Sequence, residues 1–304
     1  MRLLVLIFCL CASPMFANIE SQVRALFQQD LSKVDLAEMK IDIDRMVDPS
    51  INKAQQIAQI DHMAKVVATA YPKNASSQVK LEALTQYIYQ SGPWNQNNPF
   101  RYDLDDPYGD DPKNKLLSDY LQDRQGNCIT MPFLFIILGE RLGLQVAPAM
   151  APLHVYVRYT DDAGKTHNLE TTSGAGRARD QHYKNNLPVT EVSIQKGVFL
   201  ASLNRKETVA VMAAIVVEDL IHQRRYDEAI AVSDILLEYY PKFVYIMVKK
   251  ATAAYYKLQN NFYSRFPTAQ DVPQALVPEL IHLQTINQSA FQRAEDLGWK
   301  PVER

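Results

Sequence analysis

Residues 124–144 read R-Q-G-N-C-I-T-M-P-F-L-F-I-I-L-G-E-R-L-G-L. From Ile129 to Leu142 the pattern is apolar nearly all round, through Phe133, Ile136, Ile137 and Leu138, and this predicts a helix buried on every side. Pro132 falls in its first turn, where a missing N–H is tolerated, and Gly143 ends it. Cys128 opens this helix, directly after Gly126-Asn127. A thiol at a helix N-terminus meets unpaired N–H donors and the positive end of the dipole, which favour thiolate and suit a nucleophile. The alternative is an inert, buried cysteine.

Downstream, Leu153 to Tyr159 alternates as a strand, with Leu153, Val155, Val157 and Tyr159 on one face and His154, Tyr156 and Arg158 on the other. Asp161-Asp162-Ala163-Gly164 is a turn, and Thr166 to Thr171 is the return strand. Opposed residues in an antiparallel hairpin share a constant index sum. A three-residue turn at 161–163 closes on residues 160 and 164 and fixes that sum at 324, the sum of His154 and Glu170. The two are then directly opposed, with Cβ atoms about 5 Å apart. A sum of 325 would bring Thr171 to that place instead. A nucleophile, a base and an orienting carboxylate thus stand in the chain order Cys128, His154, Glu170.

Upstream, residues 18–92 read as helical, with Ser77 as the cap of a helix reaching Gln90 and Gly92-Pro93 as its stop. Residues 94–115 are turn-rich and acidic; their spacing does not fit an EF-hand loop, and a solvated loop is expected. From Asn204 to the end the pattern is helical again, with helices at Tyr226–Tyr240 and Val244–Leu258. Ala229 and Pro241 are spaced as in the second half of a tetratricopeptide repeat, and an ordinary helical bundle is the alternative. The domains expected are 1–17, 18–92, 93–203 and 204–304.

The start of the chain reads as an export signal: Met1-Arg2, an apolar run of 10 residues from Leu3 to Ala12, a break at Ser13-Pro14, and the small residue Ala17 for cleavage. The run is too short to span a bilayer, which takes about 20 residues. An exported protein, periplasmic or secreted, is expected. Cys9 and Cys11 leave with the signal, and Cys128 remains alone, unable to form an internal disulfide.

The 304 residues are 47% hydrophobic and 22% charged, the composition of a soluble globular protein. With 32 Lys+Arg against 34 Asp+Glu, the net charge of -2 gives no reason to expect nucleic acid as a partner. No cofactor and no metal is implied. There is no H-E-x-x-H, the six histidines show no ligand spacing, and the G-K-T at Gly164–Thr166 lacks the glycine of a phosphate loop.

The segment around Cys128 resembles the nucleophile helix of the transglutaminase-like superfamily. H-V-Y-V-R from His154 is similar to its histidine strand, and N-L-E-T-T from Asn168 to the strand carrying its acid. The run from Phe100, with Y-D-L-D-D-P and K-N-K-L-L-S-D-Y-L, resembles the bacterial SirB-type branch, whose helical tetratricopeptide-like tail matches Leu203 to Ala254. The resemblance covers roughly residues 100–258. It implies an α+β fold: a papain/transglutaminase-like core with a cysteine-bearing helix on an antiparallel sheet, flanked by N-terminal and C-terminal helices. The 26 residues from Cys128 to His154 suit this compact core; papain-type proteases place the histidine about 130–150 residues downstream. It also implies roles: Cys128 attacks a carbonyl to form a thioester, His154 holds the thiolate and protonates the leaving amine, and Glu170 orients His154 where Asp is more usual. Gln122 or Tyr120 would support the oxyanion. The leading expectation is a cysteine-dependent hydrolase or acyltransferase acting on peptide or amide bonds of a protein or peptide substrate. The second is a non-catalytic scaffold that grips a protein partner with its C-terminal helices. Neither spans a membrane.

Overall fold

The computed structural model describes residues 18–302; the export signal expected at 1–17 lies outside the described residues. The chain begins with four helices, α1 (Ile19–Gln28), α2 (Leu36–Val47), α3 (Lys53–Ala68) and α4 (Ser77–Tyr89). Each starts on a polar side chain that accepts first-turn N–H bonds: Asn18, Asp35, Asn52 and Ser76. Ser76, not Ser77, caps α4; the Ser77 N–H donates instead to Asp162 Oδ2 at 2.9 Å, tying the helix to the far hairpin loop. Next come β1 (Arg101–Tyr102), α5 (Leu117–Asp123), β2 (Gln125–Gly126) and α6 (Thr130–Arg141). The strands β3 (Gln145–Ala151), β4 (His154–Thr160), β5 (Thr166–Glu170) and β6 (Gly176–Ala178) form one antiparallel sheet in that order. Two short helices, α7 (Asp180–Asn186) and α8 (Glu191–Gln195), lead to α9 (Arg205–His222), α10 (Tyr226–Tyr239), α11 (Val244–Leu258) and α12 (Val277–Asp296). This is an α+β fold with helices at both ends of the core, and α6 packs on β3 and β4. No helix among the described residues is long and apolar enough to cross a membrane.

The sheet corrects two expectations. Leu153 is not a strand residue: with φ at 54° it forms, with Pro152, the two-residue turn from β3 to β4, and Ala151 pairs with His154. The β4–β5 register has index sum 326, not 324, as in Thr160↔Thr166 and Val157↔Leu169. The cause is Asp161. Its Oδ1 accepts the N–H groups of Ala163 and Lys165 at 3.1 and 2.9 Å, and its own N–H donates to the Lys165 carbonyl. That opens the expected three-residue turn to residues 161–165 and slips the pairing by two. A slip of two preserves faces, so His154 and Glu170 still share one.

The strands β3 and β6 have no counterpart in the expected pattern. Alanine and Pro148 dilute the alternation of β3. Its outer edge is covered by residues 200–203, where the Leu200 and Leu203 N–H groups donate to Met150 and Pro148 carbonyls at 2.9 Å.

One contiguous apolar core runs from Val23 in α1 through Phe133 in α6 and Tyr156 in β4 to Ala294 in α12. The C-terminal helices are built into it: α9 lies on α2, and α10 lies on α1, where Arg24 makes a two-pronged ion pair with Glu238 at 2.7 and 2.9 Å. Beneath α9 are two buried charge pairs. Lys40 binds Asp44 on α2 and the Lys115 carbonyl at 3.1 Å, Asp44 takes the Leu117 N–H at 2.8 Å, and Lys115 binds Glu218 of α9. Every one of these charges has a partner, which burial requires.

Candidate active site

The cysteine's position is set by the residues before it. Asn127 Oδ1 accepts the N–H groups of Ile129 and Thr130 at 3.0 and 3.2 Å, while Thr130 Oγ1 takes the Asn127 N–H at 3.1 Å. This reciprocal pair caps α6 and fixes Cys128 in the turn that opens it. Gly126 is needed for a different reason. A Cβ there would stand 2.5 Å from the Tyr120 ring and 2.8 Å from Thr130 Oγ1, so any other residue would push the nucleophile turn away. The parallel bridge Tyr102↔Gly126 brings Tyr102 alongside.

Cys128 is 4% exposed. As a thiol it donates to the Leu153 carbonyl at 3.5 Å, which the left-handed backbone of Leu153 aims toward it. The next residue is His154. Its Nε2 lies 2.7 Å from Glu170 Oε2, which leaves Nδ1 as the nitrogen for the Cys128 sulfur. Burial alone would lower the pKa of the imidazole. The bonds to Cys128 and Glu170 outweigh it and raise the pKa from its ordinary 6.5 to about 9. An imidazolium between a sulfur and a carboxylate is the state this arrangement favours.

Glu170 is held on all sides. Burial pushes its pKa up, but the His154 bond and charge, then Thr172, hold it below the usual value. Its Oε1 accepts Thr172 Oγ1 and N–H at 2.7 and 3.2 Å, and Tyr183 donates to Oε2 at 3.2 Å. The glutamate thus caps the turn that ends β5 with one oxygen and orients the histidine with the other. Register explains why glutamate serves here. Under index sum 326 Glu170 sits diagonal to His154, not opposite it, and the diagonal is about 7–8 Å, a reach for longer side chains.

Tyr183, on α7, stacks on Tyr156 at 4.3 Å between centroids, and α7 is moored by Asp180, which accepts Asn168 Nδ2 at 2.7 Å. Neither expected oxyanion residue lines the two cavities at Cys128. Gln122 is exposed on α5, and Tyr120 lies against Gly126 and Phe100. Tyr102 does line one, and burial, then the charge at Cys128, pushes its phenol up to about 12, so it stays a neutral hydroxyl. The roles of Asn127, Tyr102 and Tyr183 had no periodic signal; only N-C-I-T, a polar residue three before a threonine, could have suggested the cap.

Two cavities, each of about 310 Å³, meet at Cys128, Pro152, Leu153 and His154. One opens toward Glu170, Thr172 and His182; the other runs between the sheet and α9 and α11. Asp105, Asp110 and Asp111 of the acidic segment are exposed, as a solvated loop implies, while Asp106 accepts from the N–H groups of Asp110 and Asp111 and from Asn114 and folds the loop beside the site.

Residues 54–185 match the family described as the transglutaminase-like superfamily. The matched span runs from α3 to α7 and contains Cys128, His154 and Glu170. It begins earlier than the resemblance read around Cys128 and stops before the C-terminal helices. No curated protein and no solved structure matches the chain.

Proposed function

We propose that the protein is an exported, cysteine-dependent hydrolase or acyltransferase acting on peptide or amide bonds through Cys128, His154 and Glu170. The observation that carries this reading is the 2.7 Å contact of His154 Nε2 with Glu170 Oε2 on a ring that also engages Cys128. Export places the mature start near Asn18, in the periplasm or outside the cell, and the closing helices are read as the tetratricopeptide-like tail of the SirB-type branch.

The reaction follows from the parts. Cys128 Sγ attacks the carbonyl carbon of the amide, and the C–O electron pair moves onto oxygen at the positive end of α6. As the tetrahedral species collapses, the C–N bond breaks and His154 gives its proton to the departing amine, leaving a thioester on Sγ. Water then attacks the thioester while His154 takes its proton; Sγ leaves as thiolate, the acid departs, and the thiolate–imidazolium pair is restored. An amine in place of water gives acyl transfer by the same steps. Glu170 supports each imidazolium stage without giving up a proton.

The test is the rate of iodoacetamide alkylation of Cys128 against pH. An ion-paired thiol alkylates readily near neutral pH, and His154→Ala shifts the profile upward. A thiol that reacts only on unfolding, whether or not His154 is present, refutes the reading.

A scaffold is the second reading. Tyr255, Tyr256, Tyr263 and Ile281 are 43–55% exposed on and around α11 and α12, a surface suited to a protein partner. It predicts that Cys128→Ser leaves the protein's biological role intact.

A further inference from the structure

The two cavities at Cys128 differ in what they reach. The one on the Glu170 side is lined by Thr172, Ser173, His182 and Asn186 as well as His154. The other is walled by Ile129, Met150, Phe199, Ile215, Val244 and Val248. Ile215 stands on α9, and Val244 and Val248 on α11, so three of these six side chains come from helices that have no part in the chemistry described above.

In amide cleavage the acyl part stays joined to Sγ while the amine leaves past the histidine that protonates it. The cavity that reaches Glu170, Thr172 and His182 offers those side chains to a departing amine and incoming water. The acyl part is left for the other chamber, where the six apolar side chains form a continuous wall. That chamber is not wholly apolar. Lys115 and Glu218 also line it, paired with each other and with side chains only 8% and 10% exposed. A bare hydrocarbon chain would lie against these charges without answering them. A peptide brings N–H and C=O groups that can.

Resting on the reading of Cys128 as nucleophile, the geometry points to a peptide substrate whose acyl-side residue carries a large aliphatic or aromatic side chain, seated in the chamber between Cys128 and helices α9 and α11. The C-terminal helices are then a specificity wall. Full burial of a leucine or phenylalanine side chain in such a chamber favours it over glycine about tenfold or more.

The test compares Cys128 modification in the mature protein by the chloromethyl ketones of acetylglycine, acetylleucine and acetylphenylalanine, by 1-chlorodecan-2-one, and by iodoacetamide as a reagent without a side chain. The expected result is that the leucine and phenylalanine ketones react at least about tenfold faster than the glycine ketone. Val248→Trp, which fills the chamber, should bring that ratio close to one. Should the added bulk prevent folding, Ile215→Ala enlarges the same chamber and should raise the phenylalanine-to-leucine ratio. Equal rates for all ketones, with iodoacetamide alkylation still dependent on His154, would overturn the chamber's role and leave the nucleophile standing. A decanone faster than both peptide ketones would overturn the peptide assignment. A thiol inert to every reagent would overturn nucleophile and chamber together.

Discussion

Replacing Glu170 by aspartate should cost the site more than its chemical conservatism suggests. The side chain loses one C–C bond, about 1.5 Å of reach. Since Glu170 lies diagonal to His154, the present 2.7 Å contact would open to about 4 Å, beyond hydrogen-bond range. A hydrogen bond to a charged group contributes about 1.5–3 kcal/mol. Its loss lowers the proton affinity of His154 about tenfold to a hundredfold. The wild-type imidazole holds its proton up to about pH 9, so its titration should move down by about one to two pH units, while the rise of Cys128 alkylation with pH should move up, as in His154→Ala but by less. Glu170→Gln should do the same while its side-chain oxygen still caps the Thr172 turn, which separates the orienting role from the structural one. The sign for stability follows too. Because the folded pKa of His154 is raised from 6.5 to about 9, its contribution is complete below pH 6.5 and is lost as pH rises through about 9. The assay is histidine NMR titration, with the His154 signal assigned by its loss in His154→Ala. A His154 that still titrates near 9 in Glu170→Asp would refute the diagonal-reach argument.

Lys40→Met leaves Asp44 charged and buried with only the Leu117 N–H, and should cost about 3–5 kcal/mol by denaturant unfolding; adding Asp44→Leu should recover much of it. Gly126→Ala sets a methyl 2.5 Å from the Tyr120 ring, and should lower stability by about 1–3 kcal/mol and slow Cys128 alkylation, both measurable on one purified variant. Mass spectrometry of protein from its native host should find the mature N-terminus near Asn18; an intact Met1 on cytosolic protein would remove the export reading.

Much of the site could be read from residues 124–170 because its parts are local. A lone cysteine before an all-apolar run, a histidine on an alternating strand and an acid on its return strand all survive errors in detail. The register shows why. Asp161 lengthens the hairpin loop through side-chain bonds that no alternation pattern encodes, yet a slip of two leaves His154 and Glu170 on one face. Tyr102 and Tyr183 were illegible for the opposite reason. Tyr102 reaches the site through a two-residue bridge to Gly126, and Tyr183 by stacking on Tyr156, contacts that depend on tertiary placement alone. The strand β3 carries no legible alternation because Pro148 and its neighbouring alanines interrupt it, and its edge is held instead by residues 200–203.

Thioester formation on Cys128 with help from His154 is measured most directly with the p-nitrophenyl ester of acetylleucine. Stopped-flow absorbance and intact-protein mass spectrometry should show p-nitrophenol released with formation of an acyl adduct on Cys128, a release abolished by Cys128→Ala and greatly slowed by His154→Ala. Release at an undiminished rate from Cys128→Ala, or no release and no adduct in the wild type, would contradict it.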